Sequence, residues 1–177
     1  MCKIKSIFSS LSIYFTTFVA KAGDPLKKGF FTFREYMKKD DLLTASMEDY
    51  LEMIYRLSQY IGFTRIHDLA AALNVQPPSA TKMVQKLADA GVVNYEKYGI
   101  VLLSDKGKEI GEALLERHQI IEDFLKLLGI IENVLEETEK IEHTISTKTL
   151  ECIADFVQFL KNSPDLIKEF ETYRVNK

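Results

Sequence analysis

Apolar residues recur every three to four positions along most of this chain, and two short runs break that helical rhythm. Met47, Tyr50, Leu51, Ile54 and Leu57 fall on one helix face. Thr44 or Ser46 is placed to cap that helix, and Glu48 and Asp49 sit in its first turn, where the helix dipole favours acidic side chains. Asp49 and Glu52 then lie three apart on the face away from the apolar stripe. Beyond Gly62, Ile66, Leu69, Ala70 and Leu73 mark a short second helix that runs out in Asn74-Val75-Gln76. Pro77-Pro78 opens a third, because proline is tolerated in a first helical turn, and Ala80, Met83, Val84 and Leu87 form its inward face. After Gly91 the period changes. Val92-Val93-Asn94-Tyr95 and Ile100-Val101-Leu102-Leu103 read as strands joined through the turn Glu96-Lys97-Tyr98-Gly99.

Ser104 can cap a long helix over about 106–128, striped by Ile110, Leu114, Ile121, Leu125 and Leu128 and stopped at Gly129. Two further helical segments follow, over about 132–145 and 147–161, with Pro164 closing the second. The expected fold is therefore mainly α with a small β-hairpin wing. Residues 42–107 read as a winged helix-turn-helix domain and 108–177 as a helical domain, preceded by an extension over 1–41 whose role the sequence does not assign.

At 46% hydrophobic composition, the 177 residues can build one sizeable core or two small domains that share a long helix. Net charge is −3, but it is uneven: residues 62–110 carry +1 while 111–177 carry −6, so the candidate reading head is the least acidic folded part. Cys2 and Cys152 make no disulfide framework, which points to a reducing cytoplasm, and without a Cys-x-x-Cys pair a thiolate zinc site is not expected. The stretch 7–20, flanked by Lys3, Lys5 and Lys21, superficially fits a secretory signal. Five Ser/Thr residues dilute its apolar run, and it is too short and polar to span a membrane. An extension with an amphipathic helix is the preferred reading there.

Helix, tight turn, helix and hairpin in that order is the pattern whose second helix enters the DNA major groove while the wing touches the backbone. Ser79, Thr81, Lys82, Gln85 and Lys86 stand on the outward side of that helix, offering short donors for phosphates and longer side chains for base edges. Lys97 and Tyr98 occupy the wing tip. The competing reading is a merely solvated helix face, and His67 belongs to it as a surface residue of the second helix.

Six carboxylate and imidazole side chains offer a different chemistry: Asp49, Glu52, His118, Glu139, Glu142 and His143. Glu139, Glu142 and His143 lie at i, i+3 and i+4, within about a 100° arc of one helix face. A sulfur-free set suits Mn²⁺, Fe²⁺ or Zn²⁺, and its carboxylate richness shifts the expectation to manganese. Four carboxylates would neutralise two divalent ions, and without metal they should repel one another. The bland alternatives are dipole-favoured surface acids at 49 and 52, a satisfied core histidine at 118, and a solvated acidic face around Glu136-Glu137-Thr138-Glu139. Glu122, one turn beyond His118, is read as a supporting partner of that histidine.

Several blocks in one order carry a resemblance. They are Ser46-Met47-Glu48-Asp49-Tyr50-Leu51-Glu52, Thr81-Lys82-Met83-Val84-Gln85-Lys86-Leu87, Tyr95-Glu96-Lys97-Tyr98, Arg117-His118 and Ile141-Glu142-His143. Over about 44–161 the chain resembles the diphtheria toxin repressor family of metal-dependent transcriptional regulators, most closely its manganese-responsive MntR branch. The resemblance implies that Asp49, Glu52, His118, Glu139, Glu142 and His143 bind two manganese ions per chain. Iron-responsive relatives tend to have Met at the position of Asp49 and Cys at that of Glu139, so both positions argue for manganese, with iron as the alternative. It also implies a homodimer joined through C-terminal helices, with Ile153, Phe156, Val157 and Leu160 supplying the apolar contact. Two features depart from the branch: the extension over 1–41, and a wing one residue shorter between Tyr98 and Gly99.

The expected activity is repression of manganese-uptake genes through double-stranded operator DNA, with no small-molecule substrate, no membrane partner and no catalysis. A winged-helix regulator sensing an organic ligand is one rival. A two-metal hydrolase is the other, though no separate general base or substrate pocket shows in the sequence.

Overall fold

The computed structural model describes residues 43–177, so the expectations for 1–41, including the signal-like stretch and the amphipathic helix, lie outside the described residues. The described chain begins with α1 (Ala45–Ser58), followed by the two-residue strand β1 (Thr64–Arg65), α2 (Ile66–Ala72) and α3 (Pro77–Asp89). Next come β2 (Val93–Tyr95), a single 3₁₀ turn at Lys97–Gly99, and β3 (Ile100–Leu103). Four helices complete it: α4 (Asp105–Leu127), α5 (Val134–Glu142), α6 (Thr147–Lys161) and α7 (Pro164–Val175).

Thr44 is the residue that precedes α1, its carbonyl accepting from the Met47 and Glu48 amides at 2.8 and 3.0 Å. Its side chain makes no cap, so acidic first-turn residues are left to satisfy that end. Ser104 caps α4 as expected, its hydroxyl accepting from the Gly107 amide at 3.0 Å and donating to the Gly91 carbonyl at 2.9 Å. The wing is an antiparallel hairpin in which Tyr95 pairs with Val101 and Val93 with Leu103. Thr64 pairs with Val101 on the other side of β3, giving a three-stranded sheet in the order β1-β3-β2. β1 is too short to show an alternating pattern, which is why sequence periodicity misses it.

Leu51, Ile54, Leu69, Ala80, Val84, Leu87, Val92 and Val101 bury completely in one core, formed where α1, α2 and α3 close over the sheet. α4 runs from this head into the C-terminal half, packing on α1 near its start and on α5 and α6 further along. It is therefore the shared long helix that the chain length allowed.

Two placements are more specific than spacing gave. Glu52 is not the surface acid of the bland alternative but is 7% exposed, because α4 covers the second face of α1. Pro164 does end α6, yet it also opens α7, occupying the first turn where a missing amide costs nothing. No helix among the described residues is long and apolar enough to cross a membrane.

Candidate metal centre

Three helices deliver the six carboxylate and imidazole side chains to one place. α1 supplies Asp49 and Glu52, α4 supplies His118, and the last turn of α5 supplies Glu139, Glu142 and the C-capping His143. Their donor atoms gather in two groups, Asp49, Glu139, Glu142 and His143 in one and Glu52, His118 and Glu142 in the other, each with all its donor atoms within 4.8 Å of one another. Glu142 belongs to both. It is 2% exposed, so a carboxylate from an acidic helix face has been carried wholly inside. A carboxylate buried this deeply, with only imidazole nitrogens as partners, is costly, and a cation is the ordinary remedy.

The geometry within each group is specific. His118 Nδ1 hydrogen-bonds Glu142 Oε2 at 3.0 Å and lies 3.9 Å from both Glu52 Oε1 and Glu139 Oε1. His143 Nε2 is 2.8 Å from Asp49 Oδ1 and 3.5 Å from Glu142 Oε1. The other His143 nitrogen, Nδ1, is 3.2 Å from Glu48 Oε2, which also accepts from Arg117 Nη2 at 2.7 Å. Nε2 is thus the nitrogen turned to the carboxylates, while Glu48 can fix the ring and its tautomer from behind, the usual arrangement behind a metal-bound imidazole. A set of hard oxygens and two imidazoles, with no sulfur, fits a divalent ion such as manganese, iron or zinc.

Glu48, Arg117 and Arg56 are site residues that sequence reading missed in this role. Glu48 looked like a first-turn acid, and the pairing of Arg117 with it spans α4 to α1, beyond any local spacing rule. The adjacency Arg117-His118 was the available signal. Arg56 grips Glu52 through Nε at 2.8 Å and through Nη2. Glu122 meets His118 through its charge and not through a hydrogen bond. It pairs with Lys126 at 2.8 Å and accepts from Gln119 at 3.1 Å.

Electrostatics record the crowding. Burial pushes the Asp49 carboxyl above its ordinary range against the pull of His143, and burial together with Glu142 and Asp49 pushes Glu139 up too. At His118 burial works downward, but the Glu142 hydrogen bond and the charges of Glu52 and Glu142 outweigh it and raise the imidazole. All three shifts mean that the metal-free fold holds protons more tightly than the unfolded chain. Their stabilising contribution is complete below the unfolded values and drains away as pH rises through the folded ones. For His118 that loss lies above pH about 6.5. Thermal melts in chelator should therefore show the metal-free chain losing stability as pH rises above about 6.5, and His118→Gln should flatten that slope. A slope unaltered by the substitution would contradict the assignment.

The reading head places its expected contacts less uniformly. Ser79, Lys82, Gln85 and Lys86 are exposed on α3, as are Lys97 and Tyr98 at the wing tip. Tyr98 is 91% exposed and adopts φ 63°, a left-handed conformation within the turn that joins β2 to β3. Thr81 is half-buried, and its hydroxyl donates to the Pro77 carbonyl at 3.0 Å, so it is already engaged within its own helix. Of the four apolar residues expected at a dimer contact, Phe156 is 44% exposed, Ile153 and Leu160 are half-buried, and Val157 is buried within its own chain. Val157 and Leu150 are α6's buried positions, since α6 packs on α4 along that side. Phe159, not anticipated, is 48% exposed beside them.

Residues 42–101 match the family model described as iron dependent repressor, N-terminal DNA binding domain, and residues 104–171 match its metal binding and dimerisation domain. The chain belongs to the iron-dependent repressor family. It is 43% identical over 129 residues to the HTH-type transcriptional regulator MntR of Lysinibacillus sphaericus, covering 72% of this chain and 93% of that protein. The MntR of Listeria monocytogenes is likewise 43% identical, over 135 residues, 76% of this chain and 95% of the relative. Among solved structures, the manganese regulator SloR superposes with a TM-score of 0.57 at 31% identity, covering 64% of this chain and 54% of SloR. A manganese-dependent transcriptional repressor in complex with manganese gives 0.56 at 27% identity, over 64% of this chain and 53% of that one. The chain thus spans about half the length of those two solved structures and nearly all of the two MntR proteins.

Proposed function

We propose that this iron-dependent repressor family member is a manganese-activated transcriptional repressor. It binds near-palindromic duplex DNA as a homodimer and has no catalytic role. The observation that carries the reading is the meeting of two donor groups at Glu142, across α1, α4 and α5. The relatives named for manganese regulation, and a donor set without sulfur at Asp49 and Glu139, support manganese over iron.

Manganese held by these residues supplies the positive charge that offsets four clustered carboxylates, with two ions per chain matching the two groups. Asp49 and Glu52 belong to the head, whereas His118, Glu139, Glu142 and His143 belong to the C-terminal half. Drawing those carboxylates and imidazoles together fixes α1 against α4 and α5, and so fixes where α3 points. In a two-fold dimer the two α3 helices are then held about one DNA turn apart, which selects half-sites of matching separation. Glu48 keeps His143 Nε2 turned inward, and Arg117 holds Glu48.

Selection of bound duplexes from a random pool, run with manganese, with iron and with chelator, tests the reading. Enrichment of one near-palindromic motif with manganese is expected. Equal enrichment in chelator would overturn it in favour of a non-metal signal, and enrichment only with iron would shift the metal. Lys86→Ala is expected to weaken DNA binding and reduce the slope of log affinity against log salt by about one, at unchanged metal stoichiometry. Titrations at several salt concentrations check this, and an unaltered slope removes Lys86 from the phosphate contacts.

A further inference from the structure

Glu52 differs from the other candidate carboxylates in already having a cation. Arg56, one turn along α1, donates through both Nε and Nη2 to a single oxygen, Glu52 Oε1. That same oxygen lies 3.9 Å from His118 Nδ1, on the side where Glu52, His118 and Glu142 converge. The guanidinium therefore engages Oε1, the Glu52 oxygen that faces His118. The exposures are unequal: the Glu52 side chain is 9% exposed and that of Arg56 34%. Glu52 is fixed in the interior, while Arg56 has a path to solvent. Among the described residues, Asp49, Glu139 and Glu142 have no Lys or Arg nitrogen within ion-pair distance, so the other donor group carries no such competitor.

We propose that Arg56 is a resident counter-ion that competes with metal for Glu52, making the Glu52–His118–Glu142 position the weaker of the two and the second to fill. This deepens the metal reading above and rests on it. In the metal-free chain Arg56 offsets a carboxylate that burial would otherwise leave uncompensated. At rising metal concentration Glu52 releases Arg56, whose guanidinium turns to water, and the position opens. Because Arg56 is part-exposed, that release costs little, and the pair sets a threshold for occupancy without forbidding it. The contrary arrangement is an Arg56 that stays on Glu52 and orients it toward the ion, in which case its loss would weaken binding. The two arrangements predict opposite signs.

Manganese titration of the full metal-free chain, followed by electron paramagnetic resonance, distinguishes them in the wild type, Arg56→Gln and Arg56→Lys. The wild type is expected to fill in two steps. In Arg56→Gln the second step should tighten about tenfold, the scale of one part-exposed charge-assisted pair, while the first stays put. Arg56→Lys, which keeps the charge but loses the two-pronged grip, should tighten less, and it carries the comparison if the glutamine variant fails to fold. A second step unchanged or weakened in both variants overturns the proposal and leaves the metal site standing. A wild-type chain that takes up no manganese overturns both.

Discussion

Glu142→Ala is expected to cost the chain both manganese ions, whereas Glu52→Ala or Asp49→Ala should cost one each. The asymmetry follows from position: Glu142 donates to both groups, and Asp49 and Glu52 to one apiece. It is also the most deeply buried of the four acids, with one oxygen on His118 and the other near His143. Removing it leaves three donors in one group and two in the other, too few to hold a weakly binding divalent ion. Metal-dependent DNA binding should disappear with it. Metal content after dialysis, read beside a fold check by circular dichroism, tests this. A Glu142→Ala chain that retains one ion per chain would show that the two groups are independent.

Gly107→Ala is expected to be the most damaging single-methyl change in the described chain, destabilising it by about 3 kcal/mol, at the upper end for overpacking. A Cβ at 107 would overlap the Val92 carbonyl, a backbone group that cannot swing aside, and would press on Leu103. That carbonyl also accepts from the Ser104 amide at 3.1 Å, so displacing it loosens the junction between wing and α4. Gly111, one turn on, lets Tyr55 approach with its Cβ 2.7 Å from where a Gly111 Cβ would stand, and this closeness keeps α1 against α4. The lower thermal midpoint expected of Gly107→Ala, by roughly 10 °C, is read from a melt. A midpoint unchanged by the substitution would mean that the wing–α4 junction yields more freely than its packing indicates.

The helices of the head and the long α4 were legible because each carries its own start and stop signals and an unbroken apolar stripe, as at Met47–Leu57 and Ile110–Leu125. The Glu139, Glu142, His143 cluster was legible for the same local reason, since i, i+3 and i+4 share a face whatever the helix packs on. What stayed hidden depends on which elements meet. Glu52 looked exposed because helical spacing assigns a face but does not say whether a second helix covers it. α4 does. Val157 turned inward for the same reason, and the Glu48–Arg117 pair shows only once α1 and α4 are side by side, whereas Arg56 and Glu52 are one turn apart on α1. Pro164 was ambiguous because proline ends one helix and begins another with equal ease.

The central claim is that metal and DNA act on one equilibrium, α1 held against α4 and α5 with α3 poised for the groove. Thermodynamic reciprocity makes that measurable. Manganese affinity of the metal-free chain should be determined with and without a saturating duplex obtained from the selection. Manganese should bind more tightly with duplex present, by a factor in the range of about 5–150, and the same factor should separate duplex affinities with and without metal. Manganese bound equally well in both cases would contradict the account, leaving a metal site and a DNA-reading head in one chain with no free energy passing between them.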